Sequence, residues 1–263
     1  MNMNITNKNG RALSSFDEWK KGFIEVDKKS HWREGYSACS LGEFFTIGKG
    51  VQWLAEIEKD ILGLTIKHTE GRIEHASKLD EFHGGQRMQD LAIWGCTPSG
   101  IPCFIGIEAK VLEPFGDLSV YDSYLAGIEE RERRNPRSKK AERVCQVVDF
   151  LFKGEKPDGV KVKDLRYQLM HYFKASILEA PSLEESALKI NQREKARIIL
   201  LPVVVFNTKH YKEDPQLAQD NHDDYMNFIR ALNCDVQVVN GREVYHKVID
   251  NRDVYTLYEV VDL

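Results

Sequence analysis

The spacing of apolar residues along the chain predicts several amphipathic helices. Apolar positions recur at helical intervals in SSFDEWKKGFIEV and in SLGEFFTIGKGVQWLAEIEKDILG, and the second segment predicts one helix that ends at Gly63. The remaining helical patterns cover residues 120–135, 139–153, 161–179 and 216–232. The middle of the chain is therefore expected to be mainly helical.

Short apolar runs between these helices predict strands. The runs are LTIKH, DLAIW, CFIGIEAKVL, ARIILLPVVVF, CDVQVVN and VYTLYEVVD. The run ARIILLPVVVF is continuously apolar, which is typical of a strand that is covered on both faces. The pattern therefore predicts a central sheet with helices on each side. We find no internal repeat and no linker rich in Gly, Pro or Ser, so we expect one α/β domain over residues 1–263.

Composition and charge narrow the class of protein. With 263 residues and 42% hydrophobic residues, the chain can bury a sizeable core. The net charge of -4 indicates no general affinity for polyanions, although it can conceal a local basic surface. Five scattered cysteines without CxxC spacing argue against a disulfide framework or a zinc site. Without an apolar run of membrane-spanning length or a signal-peptide core, we expect a cytoplasmic protein that does not enter a membrane.

Three charged residues stand at the ends of two apolar runs in residues 88–112. If the runs form a hairpin centred on Ser99, Asp90 lies opposite Glu108, with Cβ atoms about 4.5–5.5 Å apart. The alternation of side chains along a strand then puts Lys110 on the same face as Glu108. One lysine balances one of the two carboxylates, so a bound cation would complete the site, and oxygen ligands suit Mg²⁺ or Mn²⁺. The alternative is a solvated strand with a weak ion pair.

These residues resemble a known superfamily. Asp90 followed eighteen positions later by the EAK of residues 108–110, at the end of an apolar strand, is similar to the motif of the PD-(D/E)XK, or restriction endonuclease-like, nucleases. The resemblance implies that Asp90 and Glu108 bind Mg²⁺, and that Lys110 activates water and stabilises the transition state. Gln89 stands where the motif's name has proline, a mild departure from the pattern.

Two further features extend the resemblance. Members of the superfamily usually carry an acidic residue on a helix before the sheet, and Glu58 lies about 60° from the centre of the apolar face of its predicted helix. It is therefore a third candidate metal ligand. Gln168 and Tyr172, four residues apart on a later helix, resemble a Gln-x-x-x-Tyr pair that holds the site or the DNA backbone, and the adjacent His171 and Lys174 could contact phosphate. An ordinary amphipathic helix is the alternative.

A run of charged residues, 129–143, surrounds the helix-breaking sequence NPRS. Its usual meaning is a solvated junction between two helices. Beside a nuclease site, its basic residues could instead contact DNA phosphates without reading the sequence. The candidates are Arg133, Arg134, Arg137, Lys139 and Lys140.

The resemblance covers about residues 58–174 and implies a central mixed sheet flanked by helices, with extra helices inserted after the Glu-x-Lys strand. We expect a core at roughly 41–210, with elaborations at both ends. The expected function is Mg²⁺-dependent hydrolysis of DNA, in restriction or anti-phage defence, with a helicase or sensor subunit as a partner and a homodimer as a further option. The alternatives are a non-catalytic nucleic-acid-binding or interaction module and an RNA-directed or nucleotide-activated nuclease.

Overall fold

Helices and strands alternate along the chain in an α/β arrangement. The computed structural model describes residues 3–27, 31–77, 79–82, 87–179 and 197–263. In chain order the elements are β1 (Ile5–Thr6), α1 (Phe16–Val26), α2 (Ser37–Thr46), α3 (Lys49–Leu62), β2 (Lys67–Ser77), β3 (Arg87–Cys96), β4 (Pro102–Lys110), α4 (Val120–Arg133), α5 (Lys140–Leu151), α6 (Tyr167–Leu178), β5 (Ile198–Phe206), α7 (Lys209–Glu213), α8 (Pro215–Leu232), β6 (Asp235–Val239), β7 (Arg242–Ile249) and β8 (Arg252–Val261).

The described strands form one eight-stranded mixed sheet in the order β1-β2-β3-β4-β5-β8-β7-β6. Strands β2, β3 and β4 are antiparallel neighbours, whereas β4, β5 and β8 run parallel to one another at the centre. Strands β7 and β6 complete the far edge in antiparallel pairing. The predicted mixed sheet flanked by helices is therefore confirmed at the level of the α/β class.

Helices cover both faces of this sheet. On one face, which we call the α6 face, buried side chains such as Phe104, Val203 and Phe173 pack with α4, α5, α6 and α8. On the other, the α3 face, Ile105 and Val204 pack with α1, α2 and α3. Strand β5 contributes to both clusters and eight of its nine residues are buried, which confirms the prediction from ARIILLPVVVF.

Local sequence explains where several helices begin and end. Helix α1 begins with a capping box in which Ser15 and Glu18 each bind the other's backbone N–H. The prediction of one continuous helix up to Gly63 is wrong, because Gly48 adopts a left-handed φ of 86° and separates α2 from α3. Gly63, with φ 67°, ends α3 as predicted.

Other boundaries also differ from the sequence pattern. Helix α6 begins at Tyr167, because residues 160–165 form turns, and β2 extends through the polar sequence KHTEGRIEHAS. Strand β7 was not predicted, because its alternation is interrupted by charged residues. Among the described residues, we find no helix with the length and apolar character needed to cross a membrane.

Candidate active site

The hairpin of β3 and β4 has the predicted register, and the two strands separate at the charged residues. Pairs from Leu91 with Ile107 to Cys96 with Pro102 confirm a hairpin centred on Ser99. Before Leu91, β3 remains paired with β2, whereas β4 continues beside β5 as far as Lys110. We call this separation, formed by Asp90 on one strand and residues 108–110 on the other, the strand fork.

Asp90 bridges the strand fork with its side chain. Its Oδ2 atom accepts a hydrogen bond of 2.7 Å from the backbone N–H of Ala109. The carboxylate thus takes the place of a backbone carbonyl from the neighbouring strand. Asp90 also lines a cavity of about 310 Å³ beside the connection between α1 and α2, together with Glu74, Glu113 and Arg33. Asp90 is therefore bound to the backbone of β4 and also lines a cavity.

Glu108 and Lys110 form a buried ion pair on the α6 face. Lys110 Nζ lies 2.9 Å from Glu108 Oε1, and the two residues are only 6% and 1% exposed. The ammonium also lies 5.2 Å from the centre of the Phe115 ring, at a distance typical of a cation–π contact. The prediction that Lys110 shares a face with Glu108 is confirmed. The lysine offsets the cost of burying the Glu108 carboxylate.

Helix α6 packs two polar side chains against β4. Gln168 Nε2 donates a hydrogen bond of 3.2 Å to Glu108 Oε1, so the helix residue contacts one of the candidate site residues. One turn later, the Tyr172 hydroxyl donates to the carbonyl oxygen of Gly106 at 2.6 Å. Because Tyr172 is 0% exposed, the prediction that it contacts nucleic acid is wrong. Its hydroxyl instead fixes α6 against the strand that carries Glu108.

Lys174 and His171, the neighbours of Tyr172 on α6, have partners within the protein. Lys174 is 5% exposed, and its ammonium donates to the carbonyl oxygen of Gln146 on α5 at 3.2 Å. Burial lowers the pKa of Lys174. The prediction of a phosphate contact at Lys174 is therefore wrong, because the side chain is directed between two helices. His171 stacks on the ring of Tyr167, with 5.3 Å between the ring centres.

Glu58 is buried, as its position on the helix predicts, but the structure does not bring it to Asp90 and Glu108. Its carboxylate accepts a hydrogen bond of 2.8 Å from the Ile66 N–H and pairs with His68. His68 pairs with Gly95 near the hairpin turn. Gly95 is five residues from Asp90 along β3, so Glu58 and His68 lie about 17 Å from Asp90. The prediction that Glu58 shares a metal with Asp90 and Glu108 is therefore corrected.

Sequence reasoning missed Glu113, an acidic residue that lines the same cavity as Asp90. Its carboxylate accepts hydrogen bonds from the N–H groups of Ser37, at 3.0 Å, and Val111, at 2.8 Å. Burial is the largest influence and opposes ionisation, but the backbone donors prevail and lower the pKa of Glu113. The available signal was its position just after the Glu-x-Lys strand, in a segment whose pattern indicates only a loop.

The basic residues of the α4–α5 junction are mostly exposed. Arg133 pairs with Glu129 at 2.7 Å, and Lys139 pairs with Glu142 at 3.2 Å. Lys139 also lies 6.0 Å from the ring of Phe82, in the connection between β2 and β3. The other candidates, Arg134, Arg137 and Lys140, are exposed or partly exposed at the same junction. The junction therefore lies beside the segment that leads into β3 and the strand fork.

The donor chemistry of the strand fork fits a hard cation. Mg²⁺ is commonly bound by one or two carboxylates, with water and substrate phosphate completing its shell, and Asp90 and Glu108 supply two carboxylates. Within the ranges that the structure describes, no group of three or more His, Cys, Asp or Glu side chains is placed to hold a metal. Two carboxylates are the number of protein ligands with which Mg²⁺ is commonly bound when water and phosphate complete its shell.

The family model for a domain of unknown function, DUF6946, matches residues 12–260. This chain belongs to the DUF6946 family. Neither a curated protein nor a solved structure shows significant similarity to this DUF6946 domain. The residues and geometry of the strand fork are therefore the basis for the chemistry proposed below.

Proposed function

We propose that this DUF6946 domain is a Mg²⁺- or Mn²⁺-dependent nuclease that hydrolyses phosphodiester bonds in DNA. The observation that carries the proposal is the strand fork, where Asp90 binds the N–H of Ala109 between the paired residues Glu108 and Lys110. The hydrogen bond from Gln168 to Glu108 adds the helix residue that the superfamily resemblance implies.

The order of elements supports the same proposal. Helix α3, the antiparallel strands β2, β3 and β4, helix α6 and the parallel strand β5 follow one another in the chain. This helix, three strands, helix, strand order is the one that the restriction endonuclease-like resemblance implies. Helices α4 and α5, which lie between β4 and α6 in the chain, agree with the insertion expected after the Glu-x-Lys strand.

The residues at the strand fork have distinct roles in the proposed reaction. Asp90 and Glu108 would hold the cation, which when bound supplies Lewis acidity and lowers the pKa of a water molecule. Lys110 stabilises the negative charge that develops on the phosphate oxygens. Gln168 orients the Glu108 carboxylate, and Tyr172 acts through β4 as a positioning residue.

Cleavage assays test the proposal directly. Supercoiled plasmid, linear duplex and single-stranded DNA are incubated with Mg²⁺ or Mn²⁺ and with wild-type protein, Asp90→Asn, Glu108→Gln or Lys110→Met. We expect each substitution to reduce cleavage by about 100-fold or more, because each removes a group that stabilises transition-state charge or holds the cation. Lys20→Met, on the exposed face of α1, is the matched control and should cleave normally.

Two further measurements separate loss of chemistry from loss of fold. Because Lys110 neutralises a buried carboxylate, each variant is checked by circular dichroism, and the double substitution Lys110→Met with Glu108→Gln removes both charges together. Cleavage that survives in folded variants would contradict the proposal. A wild-type protein that neither cleaves DNA or RNA nor binds Mn²⁺ would favour the non-catalytic module, in which the buried ion pair serves stability. We extend the proposal to a role in anti-phage defence, in which a helicase or sensor subunit is the partner.

A further inference from the structure

A second cavity lies beside the strand fork on the same face of the sheet. Paired residues of neighbouring strands point to the same face, and Glu108 pairs with Val203, which in turn pairs with Tyr258 of β8. Two residues further along the strands, Lys110 pairs with Val205, which pairs with Val260 on the same face. Strands β4 and β8 are two strand spacings of about 4.8 Å apart. The backbones of Tyr258 and Val260 therefore lie about 10 Å from those of Glu108 and Lys110.

Aromatic and basic side chains line this cavity, which has a volume of about 630 Å³. The rings of Tyr211, His222 and Tyr258 contribute to its walls, and Lys212 stands at its edge. His222 and Tyr258 meet edge to face, with 5.2 Å between the ring centres. Val260, which is 45% exposed, adds an apolar surface. The volume and the mixture of rings with a few polar groups are typical of a ligand site.

One residue that lines the cavity carries a buried polar atom without a hydrogen-bond partner among the described residues. The Tyr258 hydroxyl is buried, and we find no hydrogen bond to it within the part of the chain that the structure describes. A tyrosine hydroxyl is protonated and can donate at neutral pH, and burial raises the pKa of Tyr258 further. A buried hydroxyl without a partner is costly, and a ligand in the cavity would reach it after a shift of the Tyr258 side chain toward the cavity.

We propose that this cavity, here called the base pocket, holds one unpaired base of the DNA strand that is cut at the strand fork. The inference rests on the proposed nuclease function. Stacking on aromatic rings is how proteins hold unpaired bases without reading a sequence, and Lys212 supplies a cation for the adjoining phosphate. A separation of about 10 Å corresponds to at most about three nucleotide steps along a strand. The base pocket therefore favours single-stranded or locally opened DNA over intact duplex.

Binding measurements in EDTA test the base pocket without cleavage. Fluorescence anisotropy is recorded with a labelled oligothymidylate and with a duplex of the same length, for wild-type protein, Tyr211→Leu and His222→Leu. We expect the wild-type protein to bind the single strand more tightly, and each variant to lose about fivefold or more, the lower limit for one lost base–aromatic stack. The matched control is Tyr255→Leu. Tyr255 lies on β8, like Tyr258, but on the opposite face of the sheet, where its ring stacks on His246.

The outcomes separate this inference from the proposed function. Single-strand binding that is unchanged in both folded variants, or absent in the wild-type protein, would overturn the base pocket. If the variants lose binding of thymidine monophosphate alone and retain the oligonucleotide, the cavity serves a free nucleotide and the inference fails. If the variants lose oligonucleotide binding but no metal supports cleavage by the wild-type protein, the base pocket stands and the proposed nuclease function fails.

Discussion

At the scale of single residues, Glu113 shows how a carboxylate can be held ionised beside the candidate active site. The N–H groups of Ser37 and Val111 both donate to it, which connects the start of α2 with the end of β4. Its own carbonyl oxygen accepts a hydrogen bond from Asn221 on α8 at 3.2 Å. The negative charge of Glu113 therefore contributes to the potential around Asp90 and depends on an intact fold.

The lowered pKa of Glu113 leads to a prediction about stability and pH. A carboxyl whose pKa is lower in the folded than in the unfolded state stabilises the protein above the unfolded value, and this contribution is lost as pH falls through the folded value. Glu113→Gln should lower the free energy of unfolding by about 1–2 kcal/mol at about pH 7. In urea titrations the difference from wild type should therefore be smaller at about pH 3 than at about pH 7. The exposed Glu132→Gln is the control, and an equal difference at both pH values would contradict the prediction.

The residue scale also shows the limit of helical periodicity. Periodicity predicted that Glu58 is directed inward, and it is buried. It could not tell which end of the sheet the residue reaches, because that depends on how α3 crosses β2. The Lys174 ammonium donates to a backbone carbonyl on α5. The spacing of residues within α6 does not specify this contact between two helices.

At the scale of elements, the hairpin was predictable because its information is local. Two apolar runs and a turn fixed the register of β3 and β4 from Leu91 with Ile107 to Cys96 with Pro102, whereas the predicted pair of Asp90 with Glu108 lies beyond the paired residues. The separation of the strands was not predictable, because it depends on the continued pairing of β3 with β2 and of β4 with β5. Partners distant in sequence therefore shape the part of the hairpin that carries the chemistry.

Helices α4 and α5 pack closely at one glycine. A Cβ atom at position 127 would lie 2.5 Å from the backbone nitrogen of Ala141 and 2.9 Å from its Cα atom. Gly127→Ala should therefore destabilise the protein by about 1–3 kcal/mol, because the backbone of α5 must move. In an unobstructed helix the same change stabilises by about 0.5–1 kcal/mol, so the sign of the change in a urea titration distinguishes the two cases. A gain in stability would contradict the close packing.

At the scale of the whole molecule, the net charge of -4 conceals an uneven distribution. Exposed basic residues collect at the α4–α5 junction, and Arg143 lies 5.9 Å from the ring of Phe82 in the connection that leads to β3. The exposed ion pair of Arg133 with Glu129 is weak enough to exchange its partner for a phosphate. A DNA strand at the strand fork could thus extend along this surface.

This arrangement predicts how DNA binding responds to salt. Replacing both Arg133 and Arg134 with Glu should weaken binding similarly for all duplex sequences. It should also reduce the slope of log affinity against log salt by about 2, since each lost phosphate contact contributes about 0.9. The paired control is Lys20→Glu with Lys21→Glu, on the exposed surface of α1. Anisotropy titrations at several salt concentrations measure the affinity and the slope. An unchanged slope would show that Arg133 and Arg134 do not contact DNA phosphates.

The hydrogen bond from Ala109 to Asp90 has a further consequence. All nine residues of β4 are buried, yet the amide proton of Ala109 is held by a side chain that can rotate, rather than by a strand. Its protection from exchange with solvent, and its chemical shift, therefore follow the state of one carboxylate. A magnetic resonance signal from this single amide would report whether Asp90 is engaged elsewhere, even in a protein that turns over no substrate.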